Sequence, residues 1–287
     1  MLHSDLSSLS PMLGKPRVCA VSYLNTSPLV WGMLYGPQQG VADVSFAVPS
    51  VCAQRVVEGV AEVGLLPVIE IERHGFSSVP EAGIACRGPV RSILLVSRTP
   101  FDRIRTLATD LGSRTSVQLA RIILQRKYGA EPRVFPAEPD LVRMLEYADA
   151  ALLIGDSALR VDPAQLEWPC LDLGEEWTTL TGLPMVFALW AGRRSAIREE
   201  LVNLIQGSCH FGLAQLDQII PLEAERRGFS EALVHEYLTR NINFQIGPEE
   251  QAGLAAYLSY ACQLDHSQDE SCVPSEIPDH DDDAGSR

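Results

Sequence analysis

From Arg17 onward, short apolar runs alternate with segments whose apolar residues recur every three or four positions. Five runs in the first hundred residues read as strands: RVCAVSYL, ADVSFAV, AEVGLLP, GIACRG and RSILLVS. Between the first two, SPLVWGMLYG predicts a helix, with Asn25 to Ser27 as cap candidates, Pro28 in the first turn and Gly36 as the stop. Ser50 is expected to cap SVCAQRVVEG, leaving Cys52, Val56 and Gly59 inward. A second block starts near Pro100. RTLATDL predicts a strand, and GSRTSVQLARIILQRKYG predicts a helix with Val117, Ala120, Ile123, Leu124 and Tyr128 on one face. PRVFPAE reads as a strand, PDLVRMLEYAD as a helix, and the wholly apolar AALLIGD as a buried parallel strand. Met185 to Trp190 predicts one more strand, and the chain after Arg193 reads as helical.

This alternation predicts an α/β protein. Two α/β blocks followed by helices point to two lobes with a ligand cleft between them. In open α/β sheets the ligand sits beyond the carboxyl ends of the strands, where loops lead into helices.

Composition refines the picture without changing its class. The 287 residues are 46% apolar and 21% charged, as expected of a globular protein. Half of the net charge of −14 falls in residues 265–287, which carry eight acids against one base; that segment predicts a disordered acidic tail, and residues 1–15 predict a disordered leader. No basic stripe remains for a nucleic-acid partner. No run is long and apolar enough for a membrane span, and the start has no basic stretch followed by an apolar export signal. Seven scattered cysteines without a C-x-x-C pair read as reduced thiols. These features predict a cytoplasmic protein.

Four junctions are more polar than their surroundings. They are Ser22-Tyr23-Leu24-Asn25-Thr26, Ser92, Gly112-Ser113-Arg114-Thr115-Ser116, and Gly155-Asp156-Ser157. The third opens the long helix, whose unpaired N–H groups and partial positive charge suit a carboxylate or phosphate. Ser and Thr are also favoured caps at any helix, so the loop alone leaves plain capping open. Asn25 and Thr26 are likewise cap candidates, Asp156 is also a favoured turn residue, and Ser92 within a strand is more often structural. Tyr23 and Trp177 are candidates for a pocket wall or for ordinary core packing. The six histidines are isolated, with no H-E-x-x-H and no His/Cys cluster, so no metal is expected. Neither G-x-S-x-G nor a G-x-G-x-x-G after a strand is present. The residues by themselves define a two-lobed binder of a small, anionic molecule.

Taken in order, AVSYLNTSPLVWG, AEVGLLPVIE, RSILLVSRTP, GSRTSVQLARIIL, DAALLIGDSAL and DLGEEWTTLTGLPMVFALWA resemble the MqnA-type chorismate dehydratases of the futalosine route to menaquinone. The resemblance covers roughly residues 16–262. It implies a periplasmic-binding-protein type II-like fold with an inter-lobe ligand cleft, used as an enzyme. Lobe one would comprise 16–97 plus 188–264 and lobe two 98–187, with crossings near Ser97–Pro100 and Pro184–Trp190.

The implied reaction is loss of water from chorismate, a small dicarboxylate, to give 3-[(1-carboxyvinyl)oxy]benzoate, with no cofactor. Under that resemblance Asn25 and Ser92 are the catalytic candidates. Ser22, Tyr23 and Thr26 line the cleft from lobe one. Ser113, Arg114, Thr115 and Ser116 hold a carboxylate, and Gly155 and Asp156 complete the binding set. Two other readings stand beside it. One is an enzyme of the dihydroxynaphthoate synthase type, for which an S-P-C-P-N-D-like motif would be expected where this chain has S-Y-L-N-T. The other is a non-catalytic solute-binding protein for a small carboxylate. The oligomeric state is left open by the sequence.

Overall fold

A computed structural model of the chain describes residues 14–110, 112 and 114–269. The expected leader and most of the expected acidic tail lie outside those residues. The first unit contains β1 (Arg17–Val21), α1 (Ser27–Tyr35), β2 (Asp43–Ala47), α2 (Pro49–Val57), β3 (Val63–Pro67), α3 (Val68–His74) and β4 (Ser77–Cys86). A second unit follows with β5 (Ile93–Ser97), β6 (Thr106–Asp110), α4 (Arg114–Ile123), β7 (Arg133–Ala137), α5 (Leu141–Tyr147), β8 (Ala150–Ile154), α6 (Gly155–Leu159), β9 (Cys170–Asp172) and α7 (Leu173–Thr181). The chain then returns through β10 (Met185–Gly192), α8 (Glu199–Leu213), α9 (Leu216–Arg227), α10 (Glu231–Glu236), β11 (Asn243–Ile246) and α11 (Pro248–Asp269).

Two sheets result. The first has the order β11-β4-β10-β3-β1-β2, with β1 parallel to β2 and β3 and with β10 antiparallel to both β3 and β4. The second has the order β7-β6-β8-β5-β9. β3, β5 and β8 are buried at every position, which is why their sequences are unbroken apolar runs. The buried position expected of AALLI is observed, but its pairing is mixed: β8 runs parallel to β6 and antiparallel to β5. Alternate residues of β5 serve opposite faces. Leu95 joins the large core shared with the first sheet, while Leu94 and Val96 pack outward on Met144 and Leu145 of α5 and Ala158 of α6.

Several local expectations need correction. The first crossing between sheets is Arg87–Ser92, not Ser97–Pro100, because β5 pairs with β8 and β9 in the second sheet. The S-R-T-P turn signal belongs to a short 3₁₀ turn, Phe101–Arg103, inside that unit. The crossing is held by Asp172, whose carboxylate accepts from the backbone N–H of Val90 (2.9 Å) and Arg91 (2.6 Å) and also caps α7. Arg91 adopts φ +64°, a strained position for a residue with a Cβ. Its guanidinium donates to the carbonyls of Ala158 and Val161, which fixes it there. The return lies before Met185, since all of β10 belongs to the first sheet.

α7 and β11 add a helix before β10 and a strand within the segment expected to be helical. α7 is short and begins on the Asp172 cap; β11 is four residues long and pairs only at an edge. The α2 cap is the Val48 position rather than Ser50, with Pro49 opening the helix, and Gly59 is exposed. α11 runs to Asp269, past the expected start of the tail.

The loop between β1 and α1 is positioned by close helix packing. Gly212 of α8 lies so near α1 that a Cβ there would come within 1.9 Å of the Pro28 carbonyl oxygen. Ser208, one turn earlier, donates to the Leu29 carbonyl (3.0 Å) and accepts from the Met33 N–H (3.1 Å). Gly212→Ala is therefore expected to force α1 and α8 apart and to cost about 1–3 kcal/mol. Urea unfolding checks this: the midpoint should fall with an unchanged slope.

Candidate functional site

The carboxyl ends of β1, β3 and β8, at Val21, Pro67 and Ile154, converge on a cavity between the two sheets, where an open α/β sheet places a ligand. It holds about 500 Å³ of space, part of it open to solvent. Among the residues predicted for the site, Tyr23, Asn25, Ser92, Ser116 and Gly155 line it. The remaining wall is apolar, from residues such as Ile84, Ile93 and Phe187.

After Val21 the chain leaves β1 and makes one 3₁₀ turn, Leu24–Thr26, before Pro28 enters α1. This turn buries Asn25 and Thr26 at 8% and 1% exposure. Neither side chain caps the helix. Instead the Asn25 carboxamide Nδ2 donates to the Tyr237 hydroxyl at 3.0 Å, and that hydroxyl donates to Ser92 Oγ at 2.9 Å. Burial holds the Tyr237 phenol far above its ordinary pKa, so it stays protonated; the hydrogen bond from its hydroxyl to Ser92 pulls the other way. Among the described residues, Asn25 Oδ1 is a buried acceptor without a partner. The two catalytic candidates are thus joined through one buried phenol.

Tyr23 forms the wall between this cavity and a second one. Its ring lies against Gly155, where φ is +57° and a Cβ would fall 2.8 Å from the ring. Glycine meets both demands there, a left-handed backbone and a ring in contact. Burial raises the Tyr23 phenol well above its usual range, and the nearby Asp110 and Asp156 charges add to the effect. Burial likewise pushes the Asp110 carboxyl up, opposed by its hydrogen bond from the Gly112 N–H.

The other predicted residues lie elsewhere. Ser22 and Thr26 face the second cavity, alongside Trp31, Glu223 and Arg226. Thr26 Oγ1 has no partner among the described residues. Arg114 does not line the inter-lobe cavity: it pairs at 3.0 Å with Glu70 of α3, a carboxylate buried to 4% that also takes Arg73 and His74. A buried carboxylate needs compensation, and this one recruits Arg114. Thr115 is buried too, accepting from the Ile69 N–H (3.4 Å) while its carbonyl accepts from Tyr257 (3.1 Å). Ser113 lies outside the described residues.

Asp156 is a clasp between the units. It accepts from the Leu24 N–H at 2.9 Å and from the guanidinium of Arg227, at the end of α9. Arg227 also donates to the Ser22 carbonyl (3.0 Å) and to Glu223 (2.6 Å). The paired charge removes the penalty Asp156 would otherwise impose near an anion.

Sequence reasoning missed Tyr237, Arg227 and Asp172. Tyr237 and Arg227 sit in helical stretches far along the chain, and nothing in their neighbours' pattern marks them. Asp172 carried a visible signal, an Asp two residues before a Gly at a helix start. Among the described residues no group of three or more His, Cys, Asp or Glu is placed to hold a metal, and no helix is long and apolar enough to cross a membrane.

The fold is of the periplasmic-binding-protein type. A protein of Archaeoglobus fulgidus aligns over 87% of this chain and 97% of its own with a TM-score of 0.68 at 17% identity. The periplasmic aliphatic sulphonate binding protein of Escherichia coli aligns over 95% of this chain and 96% of its own with a TM-score of 0.59 at 14% identity. A family model described as menaquinone biosynthesis matches residues 16–263, and the chain belongs to that family. A Thermus thermophilus protein named chorismate dehydratase is 28% identical over 264 residues, covering 86% of this chain and 93% of that protein.

The Asp156 clasp yields a direct test. Asp156→Ala would leave the Leu24 N–H without its acceptor and Arg227 without one of its two carboxylates, at an expected cost of about 2–4 kcal/mol. Urea unfolding should show that loss, and small-angle scattering should show a larger radius of gyration if the clasp holds the units together.

Proposed function

We propose that this protein is a chorismate dehydratase, a carbon–oxygen lyase that removes water from chorismate to give 3-[(1-carboxyvinyl)oxy]benzoate in menaquinone biosynthesis. One observation carries the reading within the family: an inter-lobe cavity whose polar wall includes the linked pair Asn25 and Ser92. The dehydratase name of the Thermus thermophilus relative supports it.

The chemistry asks little of a protein base. The ring C–O bond to the hydroxyl breaks, the proton leaves the ether-bearing carbon, and the C–H electron pair completes an aromatic ring. Hydroxide and proton depart together as one water. Much of the driving force is in the substrate, so the protein acts chiefly by orienting the departing groups and stabilising developing charge. The cavity wall fits this division of labour. Its titratable side chain is Tyr23, held as a neutral phenol and so suited to donate a hydrogen bond rather than to take a proton. A substrate carboxylate accepts the proton from the ether-bearing carbon and passes it to the departing hydroxyl, which leaves as water while the carboxylate is restored, with Asn25 setting the geometry.

Among the described residues, the wall carries no Arg, Lys or His. Carboxylate binding in this reading rests on hydroxyls and backbone N–H groups, and Ser116, in the first turn of α4, is one of the hydroxyl residues of the wall. Ser22, Thr26, Arg114, Thr115 and Asp156 support the walls. The protein's place in menaquinone biosynthesis supports a cytoplasmic location.

The fold is shared with solute-binding proteins such as the Escherichia coli sulphonate binder, which favours a binding-only reading as the second choice. Comparing Asn25→Ala and Asn25→Asp with the wild type for aromatic product separates the two. Both variants are expected to lose about 100-fold or more in kcat, the scale of a lost transition-state hydrogen bond. Full activity in both would remove Asn25 from the mechanism, and saturable chorismate binding without product in the wild type would favour the binder.

A further inference from the structure

We propose that Tyr237 is a positioning residue that fixes the hydrogen-bond polarity of the cavity wall, making Asn25 an acceptor and Ser92 a donor toward the substrate. The inference rests on the dehydratase reading for its catalytic consequence, although the polarity itself follows from the ligand-free protein. Tyr237 opens the π-helical turn Tyr237–Asn241 after α10, and its side chain is buried to 1% exposure. It reaches the site from a helix more than two hundred residues beyond Asn25 in sequence.

The chain of hydrogen bonds has one direction. A neutral phenol has a single proton to give, and Tyr237 gives it to Ser92 Oγ at 2.9 Å. The phenol oxygen is then an acceptor, and it receives the Asn25 Nδ2–H at 3.0 Å. Two consequences follow. Asn25 Oδ1 is turned away from the phenol and is left, among the described residues, as a buried acceptor without a partner. Ser92 Oγ already accepts, so its own proton is available to a ligand in the cavity that both residues line.

Without the phenol oxygen this order would be lost. The terminal torsion of an asparagine is broad and nearly two-fold, so an unanchored carboxamide exchanges its oxygen and nitrogen ends at little cost. Tyr237 selects one end. A substrate hydroxyl, which both donates and accepts, then meets one acceptor and one donor in fixed places. Burial without competing water strengthens each link, and a half-satisfied polar network in such a place is unfavourable until the ligand completes it.

The test is a double-mutant cycle with a ligand-free readout beside it. Tyr237→Phe keeps the ring and removes the hydroxyl. It is expected to lower kcat on chorismate about 10- to 100-fold while KM changes less than about threefold. Adding Tyr237→Phe to Asn25→Ala is expected to cost clearly less than Tyr237→Phe costs on its own, because part of its action runs through Asn25 and only the Ser92 part remains. Multiplying losses in the double variant would overturn the proposal, since a merely structural defect adds independently.

In the ligand-free protein, the Asn25 side-chain amide protons, followed by nitrogen-15 NMR, should exchange faster with water in Tyr237→Phe than in the wild type. Unchanged exchange would also overturn it. If the wild type makes no product from chorismate, the dehydratase reading fails, and the exchange measurement alone decides the polarity. Should Tyr237→Phe not fold, Ser92→Ala serves in its place. It removes the phenol's acceptor, frees the phenol proton to turn toward Asn25, and is expected to speed the same exchange; no change there counts against the proposal.

Discussion

Everything at the cavity depends on where the 22–26 loop is held, and that loop is held chiefly by groups distant in sequence. Its backbone is clasped by Asp156 through the Leu24 N–H and by Arg227 through the Ser22 carbonyl. Its buried side chain, Asn25, is tied to Tyr237. Behind it, the contact of Gly212 with Pro28 sets how deeply α1 sits. A loop with so many buried polar atoms is stable only because each anchoring bond is made; an unmade bond leaves a desolvated group uncompensated. The atoms without partners, Asn25 Oδ1 and Thr26 Oγ1, are then notable by contrast, and the first belongs to a residue that lines the cavity.

The same contacts join the two units. Asp156 lies at the start of α6 and its partners lie in the first unit; Glu70 of α3 meets Arg114 of α4 in the same way. Tyr23 lies between them with its ring on Gly155. A ligand between the sheets touches side chains from both, and the charge pairs sit beside the cavity rather than within it. This separation explains how a wall without cationic side chains can still belong to a protein with arginines nearby: those arginines are committed to carboxylates of the fold.

Much of the fold was legible from periodicity. The unbroken apolar strands and the helices with a three-and-four spacing are where the sequence pattern places them, because burial on both faces or on one stripe dictates composition directly. The crossing between sheets, placed near Ser97–Pro100 from the resemblance, lies earlier, and nothing in the local pattern of Arg87–Ser92 marks it. The actual hinge is specified by Asp172, about eighty residues later in the chain. β11 is too short for alternation to show.

At the site, Asn25, Ser92, Ser116 and Gly155 were found through loops at strand ends and a family resemblance, and these line the cavity. The pairing of Arg114 with Glu70 was not legible, because a sequence cannot show that Glu70 is buried and takes a partner. Tyr237 was missed because its role depends on two partners that only the folded chain brings together.

The central claim is that this cavity converts chorismate by positioning it. The most direct measurement is incubation of the wild-type protein with chorismate, followed by mass spectrometry and ultraviolet absorbance. A new aromatic product lighter than chorismate by one water, formed in proportion to protein and time, is the predicted result. Chorismate bound in the cavity but recovered unchanged would contradict it.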